Sequence, residues 1–228
     1  MKIKYFLQLI ILFLSILYTN VSFASTSVPQ NEAKNWANFK GEQILKILSD
    51  TNLTTKYKQL DKILYEDIDL DNAAKFVMGK HWRQMSDNQK EIYVPLFKRY
   101  ISSLYKGYPL ELKNGDIQYD VNRIIENKNT TDVFCNIKIK ALENAVDEQS
   151  KGGFDVLFVL VKKQNKIMVQ DMKIQESSLL LSFRDRFNKM IQVDSDGEID
   201  WFLEDLEIIV SDSEKENQEK LEMQEINY

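Results

Sequence analysis

The apolar residues of this chain change their spacing twice, and this change constrains the fold more than any other feature of the sequence. In the segment 30–108 they recur every three or four positions, which is the spacing of amphipathic helices. In the segment 109–176 they alternate with polar residues, as in strands that bury one face. The helical spacing returns in 178–210. This order predicts an α+β fold in which helices cover an antiparallel sheet of four to five strands.

The strand segment is divided by turn residues into a meander. Ile117, Tyr119 and Val121 alternate with polar residues, and a second alternating run follows from Val133 to Ile139. The run from Phe154 to Val161 is nearly all apolar, which is typical of a strand buried on both faces. A hairpin is expected to connect it to a last strand.

Capping signals divide the first helical segment. Asp69 is predicted to cap one helix, and Gly79 is a residue at which that helix can end. Ser86 and Gln89 form the Ser-x-x-Gln pattern of a reciprocal N-terminal cap. A wide apolar stripe then continues to Tyr108, and Ser178 is predicted to cap the helix that follows the sheet.

Pro95 lies inside the helix that begins after Ser86. Proline has no N–H, and its ring crowds the carbonyl of Glu91, so a kink is expected there. A kink would curve the helix around a cavity, whereas a straight helix that tolerates one proline is the alternative.

Two blocks of residues stand in a fixed order along the chain. The first block is Leu70, Phe76, Val77, Gly79, Trp82, Arg83, Gln89, Phe97 and Tyr105. The second block is Val169, Asp171, Ser178, Leu179, Phe183, Arg184, Phe187, Gly197, Ile199 and Leu203. Together they resemble the MlaC family of periplasmic phospholipid-binding proteins, also known as toluene-tolerance proteins. The resemblance covers residues 30–208.

The resemblance implies a curved sheet like that of nuclear-transport-factor folds, with a helical subdomain. It also implies a non-enzymatic periplasmic carrier without a cofactor, which holds acyl chains in an apolar cavity and helps to maintain outer-membrane lipid asymmetry. The implied partners are phospholipid, an outer-membrane lipoprotein–porin complex and an inner-membrane ABC transporter with its substrate-binding ring.

Large apolar residues of the helices and the sheet are the candidates for this cavity. They are Phe76, Trp82, Phe97, Ile101, Leu104, Tyr105, Phe158, Leu160, Met172, Leu180 and Phe183. The candidates for contact with a lipid head group or a partner are Arg83, Arg99, Arg184 and Arg186. From the residues alone, an ordinary filled core and exposed helix arginines remain the alternatives.

The two ends of the chain differ from the segment between them. Residues 1–24 have a basic start, an apolar core and a small-x-small end, which predicts a signal peptide cut after Ala24 and a periplasmic protein. An uncleaved membrane anchor is the alternative. Residues 25–210 are predicted to form a single domain, and residues 211–228 an acidic disordered tail.

Several functions are disfavoured because the sequence lacks the residues that they require. The formal net charge of −5 disfavours nucleic-acid binding, which requires a basic surface. His81 is the only histidine and Cys135 the only cysteine, so a triad, a zinc site or an internal disulfide is not expected. Cys135 is predicted to be a small buried hydrophobic residue. A calcium loop around Gly197 fails because Leu203 stands where the bidentate acid belongs.

Two other functions remain open at this stage. One is a binding module for a different apolar ligand, such as a quinone or an isoprenoid. The other is an enzyme on the same fold, for which Asp171 is the only candidate acid.

Overall fold

The structure is a computed structural model that describes residues 25–107, 115–140 and 153–226. The predicted signal peptide and its cleavage site lie outside the described residues, as does the predicted helix end at Tyr108. Among the described helices, none is both long and apolar enough to cross a membrane.

Among the described residues, four helices precede the sheet and two follow it. They are α1 (Gln30–Leu48), α2 (Leu53–Asp67), α3 (Leu70–Met78), α4 (Asp87–Gly107), α5 (Leu179–Lys189) and α6 (Ile199–Ile226). A 3₁₀ turn at His81–Arg83 joins α3 to α4, and a π turn at Met190–Asp194 follows α5.

The sheet is an antiparallel meander in which neighbours in sequence are neighbours in space. Its strands are β1 (Ile117–Glu126), β2 (Thr131–Ile139), β3 (Phe154–Lys163), β4 (Lys166–Ile174) and the short β5 (Ser177–Ser178). The register shifts once between β1 and β2 and once between β3 and β4. The predicted α+β class and the sheet of four to five antiparallel strands are confirmed.

Two of the three predicted N-terminal helix caps are formed. Gln89 Oε1 accepts from the backbone N–H of Ser86 at 2.8 Å, and Ser86 Oγ accepts from that of Gln89 at 3.2 Å. Ser178 Oγ accepts from the N–H of Leu181 at the start of α5. Asp69 occupies the N-cap position of α3 but makes no side-chain cap. Its carboxylate is instead paired with Lys163 of β3.

The helical segment and the sheet each have a core. In the helical core, the aromatic rings of Tyr93, Phe97, Phe187 and Phe202 contact one another and are fully buried. In the sheet core, α1 packs on β1 and β2. Ile68, between α2 and α3, packs against both cores and thereby joins them.

The last helix extends further than the sequence predicted. The prediction of a disordered tail from Ser211 is wrong for the described residues, because α6 continues to Ile226. Polar side chains attach this part to α4 and to the start of α2. The Asn217 side chain donates to the carbonyl of Ser103 at 3.1 Å, and that of Lys220 to Gly107 at 3.0 Å.

Pro95 lies on the exposed side of α4, and the helix is unbroken from Asp87 to Gly107. Solvent can therefore hydrogen-bond the carbonyl that loses its N–H partner at this position.

Candidate functional site

An apolar cavity lies between the first two helices and one face of the sheet. Its volume is about 170 Å³. The lining residues from the helices and the segment after α2 are Trp36, Ala37, Lys40, Gly41, Ile44, Leu45, Leu48, Ile63, Asp67 and Ile68. Those from the sheet are Ile117, Tyr119, Cys135, Ile137, Phe158 and Val169. The two charged members, Lys40 and Asp67, form an ion pair with an N–O distance of 2.5 Å.

The first half of α1 is fixed to the sheet by polar contacts. Just before α1, the backbone N–H of Val28 donates to Thr131 Oγ1 at 2.9 Å, and this hydroxyl donates back to the Val28 carbonyl at 2.6 Å. Lys162 of β3 pairs with Glu32 at 2.8 Å. The apolar residues of the second half of α1 face the cavity.

Gly41 allows α1 to approach the sheet closely at the middle of the cavity. A Cβ added there would lie 2.3 Å from the ring of Tyr119, a distance that carbon atoms cannot adopt. The Tyr119 hydroxyl donates to Asn38 Oδ1 at 3.2 Å on the same helix. A larger residue at position 41 would therefore push α1 away from β1.

The titratable groups in the cavity wall show how apolar it is. Burial raises the pKa of the Cys135 thiol to about 12, and the nearby carboxylate of Asp120 adds to the shift. Burial also raises the pKa of Tyr119, with smaller contributions from Cys135 and from Glu42. Both side chains are therefore neutral over the whole physiological pH range, and the wall presents no charge from the sheet side.

The size of the cavity limits what it holds in this conformation. A volume of about 170 Å³ is close to that of engineered apolar cavities that bind benzene, which are about 150 Å³. Drug-sized ligands occupy pockets of about 300–1,000 Å³. A ligand with long chains therefore requires the helices and the sheet to separate further.

A second concavity, here called the basic groove, lies where α3 and the 3₁₀ turn meet β4 and α5. Its volume is about 1130 Å³. Its lining residues are Asn72, Ala73, Lys75, Phe76, Gly79, Lys80, Trp82, Arg83, Val159, Gln170, Asp171, Lys173, Leu180 and Arg184. Five of these are cations and one is an acid.

The strand register places the cavity and the groove on opposite faces of the sheet. Val159 pairs with Asp171, and both line the groove. Phe158, the neighbour of Val159 in β3, lines the cavity. Because successive side chains of a strand point to opposite faces, the two concavities are separated by the sheet.

The predicted site residues are distributed between these two places and the cores. Of the predicted cavity residues, Phe158 lines the cavity, whereas Phe76, Trp82 and Leu180 line the basic groove. Two of the predicted head-group or partner contacts, Arg83 and Arg184, also line the groove.

The other predicted cavity residues line neither the cavity nor the basic groove. Phe97 is fully buried in the helical core, and Ile101, Leu104 and Phe183 pack against it. Leu160 is fully buried in the sheet core. Met172 pairs with Phe158 across β3 and β4 and is half-buried. Tyr105 donates its hydroxyl hydrogen bond to Asp61 of α2.

The remaining two predicted arginines make contacts within the protein. Arg99 forms ion pairs with Glu207 and Glu214 of α6, at 2.9 and 2.7 Å. The guanidinium of Arg186 lies 5.6 Å from the ring centre of Tyr100. Arg99 therefore connects α4 to α6.

Sequence reasoning missed most of the residues that line the apolar cavity. Ile44, Leu45 and Leu48 are apolar positions of the first predicted helix, and Ile117 and Ile137 belong to the predicted strands. Their spacing identifies them as buried faces, but nothing in the spacing pairs these faces with each other.

Two other candidates from the sequence have ordinary structural surroundings. The Asp171 carboxylate accepts hydrogen bonds from the backbone N–H groups of Met172 and Leu180 and from Ser178 Oγ. His81 is buried, and its Nε2 lies 3.1 Å from Asn188 Oδ1. Over the described residues, no group of three or more His, Cys, Asp or Glu side chains is arranged to hold a metal.

Comparisons with known proteins bear on the family and the fold of the chain. The family model described as MlaC protein matches residues 40–207. A solved structure of the phospholipid-binding protein from Ralstonia solanacearum, in complex with a phospholipid, is similar with a TM-score of 0.61 and 15% identity. The similarity covers 78% of this chain and 96% of that chain. At this identity it shows the shared fold alone. No curated protein matches the chain.

Proposed function

This chain belongs to the MlaC family, and from that premise we propose that it is a periplasmic carrier that holds the acyl chains of a phospholipid between α1 and the sheet. The observation that carries the proposal is the apolar cavity, whose sheet wall is neutral and whose two charged residues are paired with each other. The structurally similar Ralstonia solanacearum protein, which is a phospholipid-binding protein in complex with a phospholipid, supports it.

The energetics suit a carrier. Each methylene group contributes about 0.8 kcal/mol when it leaves water. The two chains of a phospholipid would together exceed the highest known affinities if water were the reference. The actual competitor is a bilayer, which shelters the chains equally well, so transfer is close to neutral in free energy. Direction must then come from the proteins with which the carrier docks.

The cavity must enlarge to admit acyl chains, and α1 is the element that we propose to move. Its first half is held by the contacts of Val28, Glu32 and Asn38. Beyond Gln43, the described residues of α1 make no side-chain hydrogen bond or ion pair to the sheet or to α2. This difference allows the part of α1 after Gln43 to swing outward, while the part that ends with the Lys40–Asp67 ion pair acts as the hinge.

The family resemblance also suggests the partners. We propose that the carrier exchanges lipid with an outer-membrane lipoprotein–porin complex and with an inner-membrane ABC transporter that carries a substrate-binding ring. In this role it would help to maintain outer-membrane lipid asymmetry.

Mass spectrometry of the ligands that co-purify with the protein tests the proposal. We expect phospholipid in the wild-type protein and at least about tenfold less in Leu45→Trp, because the indole would occupy the cavity. Phe39→Trp is the matched control, since Phe39 lies on the same helix but is 63% exposed. It should keep its lipid.

Two results would contradict the proposal. One is wild-type protein that carries a quinone or an isoprenoid in place of phospholipid. The other is an equal lipid content in Leu45→Trp and Phe39→Trp, provided that circular dichroism shows both variants to be folded.

A further inference from the structure

The basic groove holds cations that the rest of the protein does not neutralise. Lys75, Lys80, Arg83, Lys173 and Arg184 line it. Across the described parts of the chain, none of these five side chains forms an ion pair with a carboxylate. By contrast, Lys40, Lys98, Lys106, Lys162 and Lys163 each have a carboxylate partner on another element.

The single acid of the groove, Asp171, offsets only one of these five positive charges. Both oxygens of Asp171 already accept hydrogen bonds, Oδ1 at 2.8 Å from Met172 and Oδ2 at 2.7 Å from Ser178. The carboxylate thereby holds the start of α5 against β4. It is committed to the fold, so an incoming group encounters mainly the cations.

Arg184 is held in place by its surroundings. Its guanidinium lies 5.4 Å from the centre of the Phe76 ring. A Cβ added to Gly79 would lie 2.7 Å from the Nε of Arg184. Gly79 also has a φ of +53°, a backbone conformation that residues with a side chain rarely adopt. The backbone conformation therefore favours glycine at position 79, and a side chain there would displace the guanidinium of Arg184. A planar guanidinium loses less entropy per hydrogen bond to a carboxylate than a lysine ammonium does.

Apolar side chains stand among the cations. Phe76 is 41% exposed beside Arg184, and Trp82 and Leu180 also line the groove. Aromatic residues and arginines together are typical of the central residues of protein interfaces. Their combination fits a ligand that carries both acidic groups and an apolar side chain.

We propose that the basic groove docks an acidic polypeptide segment of a partner protein, with one apolar side chain of the segment between Phe76 and Trp82. The groove has a volume of about 1130 Å³, far more than a single phosphate requires. It also lies on the opposite face of the sheet from the apolar cavity, so the head group of a lipid bound in that cavity does not reach it. The partner surface is thus separate from the lipid site.

Charge favours a polypeptide over an anionic membrane as the occupant. The whole chain carries a formal net charge of −5, so a broad anionic surface is repelled by most of the protein. A narrow acidic segment inside the groove interacts only with charges within the screening length, which is about 8–10 Å in physiological salt. Within that distance it meets the five cations of the groove and one acid, Asp171.

Fluorescence anisotropy with a labelled peptide of glutamates around a central tryptophan tests this inference. We expect saturable binding that weakens with added salt, and a loss of at least about tenfold in affinity in the double variant Lys80→Glu, Arg83→Glu. Lys128→Glu in the β1–β2 turn is the control for charge, because Lys128 is exposed and does not line the groove. It should leave the affinity within about twofold.

A second variant changes the geometry without changing the charge. Gly79→Ala displaces the guanidinium of Arg184, so it should weaken peptide binding several-fold while the protein stays folded by circular dichroism. Leu45→Trp, which fills the apolar cavity, should leave peptide binding unchanged. This separates a failure of the docking surface from a failure of lipid binding.

The inference is overturned if the peptide with glutamines in place of glutamates binds equally well, or if Lys80→Glu, Arg83→Glu binds like the wild-type protein. It is also overturned if phosphatidylglycerol vesicles bind in a manner that this double variant abolishes and the acidic peptide does not compete. The groove would then be a membrane contact.

Discussion

The thiol of Cys135 is 1% exposed on the cavity side of β2, and burial raises its pKa to about 12. The sequence predicts such a residue, because a lone cysteine between apolar neighbours is typical of a small buried hydrophobic residue. That prediction is confirmed by its burial. Its position in the cavity wall was not predictable, since it depends on α1 lying opposite.

The pKa of Cys135 predicts a dependence of stability on pH. The native thiol keeps its proton while the unfolded thiol loses it above its ordinary pKa of 9.0, so the free energy of unfolding falls as pH rises from about 9 to about 12. Between pH 8 and pH 10 the expected loss is about 1 kcal/mol. Urea denaturation of wild-type protein and Cys135→Ala at both pH values measures it.

The variant should lack this part of the pH dependence. We also expect iodoacetamide to alkylate the thiol of Cys135 slowly in the native protein at pH 8.5. The variant Lys128→Cys in the Cys135→Ala background provides an exposed thiol as the control. Equal alkylation rates for the two thiols would contradict a closed cavity.

At the scale of elements, α6 shows that tertiary contacts make a helix from a segment with few apolar residues. Beyond Val210 the helix is attached by Asn217 and Lys220 to α4, and by Gln224 to the segment before α2. Glu214 adds an ion pair with Arg99 of α4. Hydropathy alone predicts disorder here, because it does not register hydrogen bonds between distant segments.

Removal of residues 212–228 should therefore destabilise the protein. Four hydrogen bonds and one ion pair are lost, each contributing about 1 kcal/mol or less, so we expect a loss of about 3 kcal/mol. The midpoint of urea denaturation measures the change. Glu216→Ala is the control, since Glu216 is exposed on the same helix and should have almost no effect. A truncated protein with the wild-type midpoint would contradict the role of this helix as an attachment.

At the scale of the molecule, the two cores are joined at the segment between α2 and α3. Ile68 packs against both cores, and the backbone N–H of Asp69 donates to the carbonyl of Val169 in β4 at 2.9 Å. The carboxylate of Asp69 also pairs with Lys163. These contacts connect the helical core directly to the middle of the sheet.

We therefore expect the two cores to unfold together. Trp36 reports on the sheet core and Trp82 on the helical core. In the double variant Trp82→Phe, Trp201→Phe only Trp36 remains, so its fluorescence follows the sheet core. In Trp36→Phe, Trp201→Phe only Trp82 remains, so its fluorescence follows the helical core. Each variant should give a fluorescence midpoint in urea that coincides with its own circular dichroism midpoint. Separate midpoints for the two probes would show two independently folding parts.

The sequence alone determined the elements of this protein, their order and several of their ends. The reciprocal cap of Ser86 and Gln89 and the alternation in β1 and β2 are local properties, because they depend on residues a few positions apart. The resemblance carried by the two motif blocks likewise identified the family that the comparison with the family model shows. The α+β class followed from the order of the elements.

Only the tertiary structure decided which apolar faces meet tightly and which leave a space. The stripe of α4 was the strongest apolar signal, yet Phe97 is fully buried and packs against Phe187 of a later element. The weaker face of α1, with Ile44 and Leu45, borders the cavity. Periodicity shows that a face is buried but not which surface covers it, and a cavity is a property of two surfaces that local sequence does not bring together.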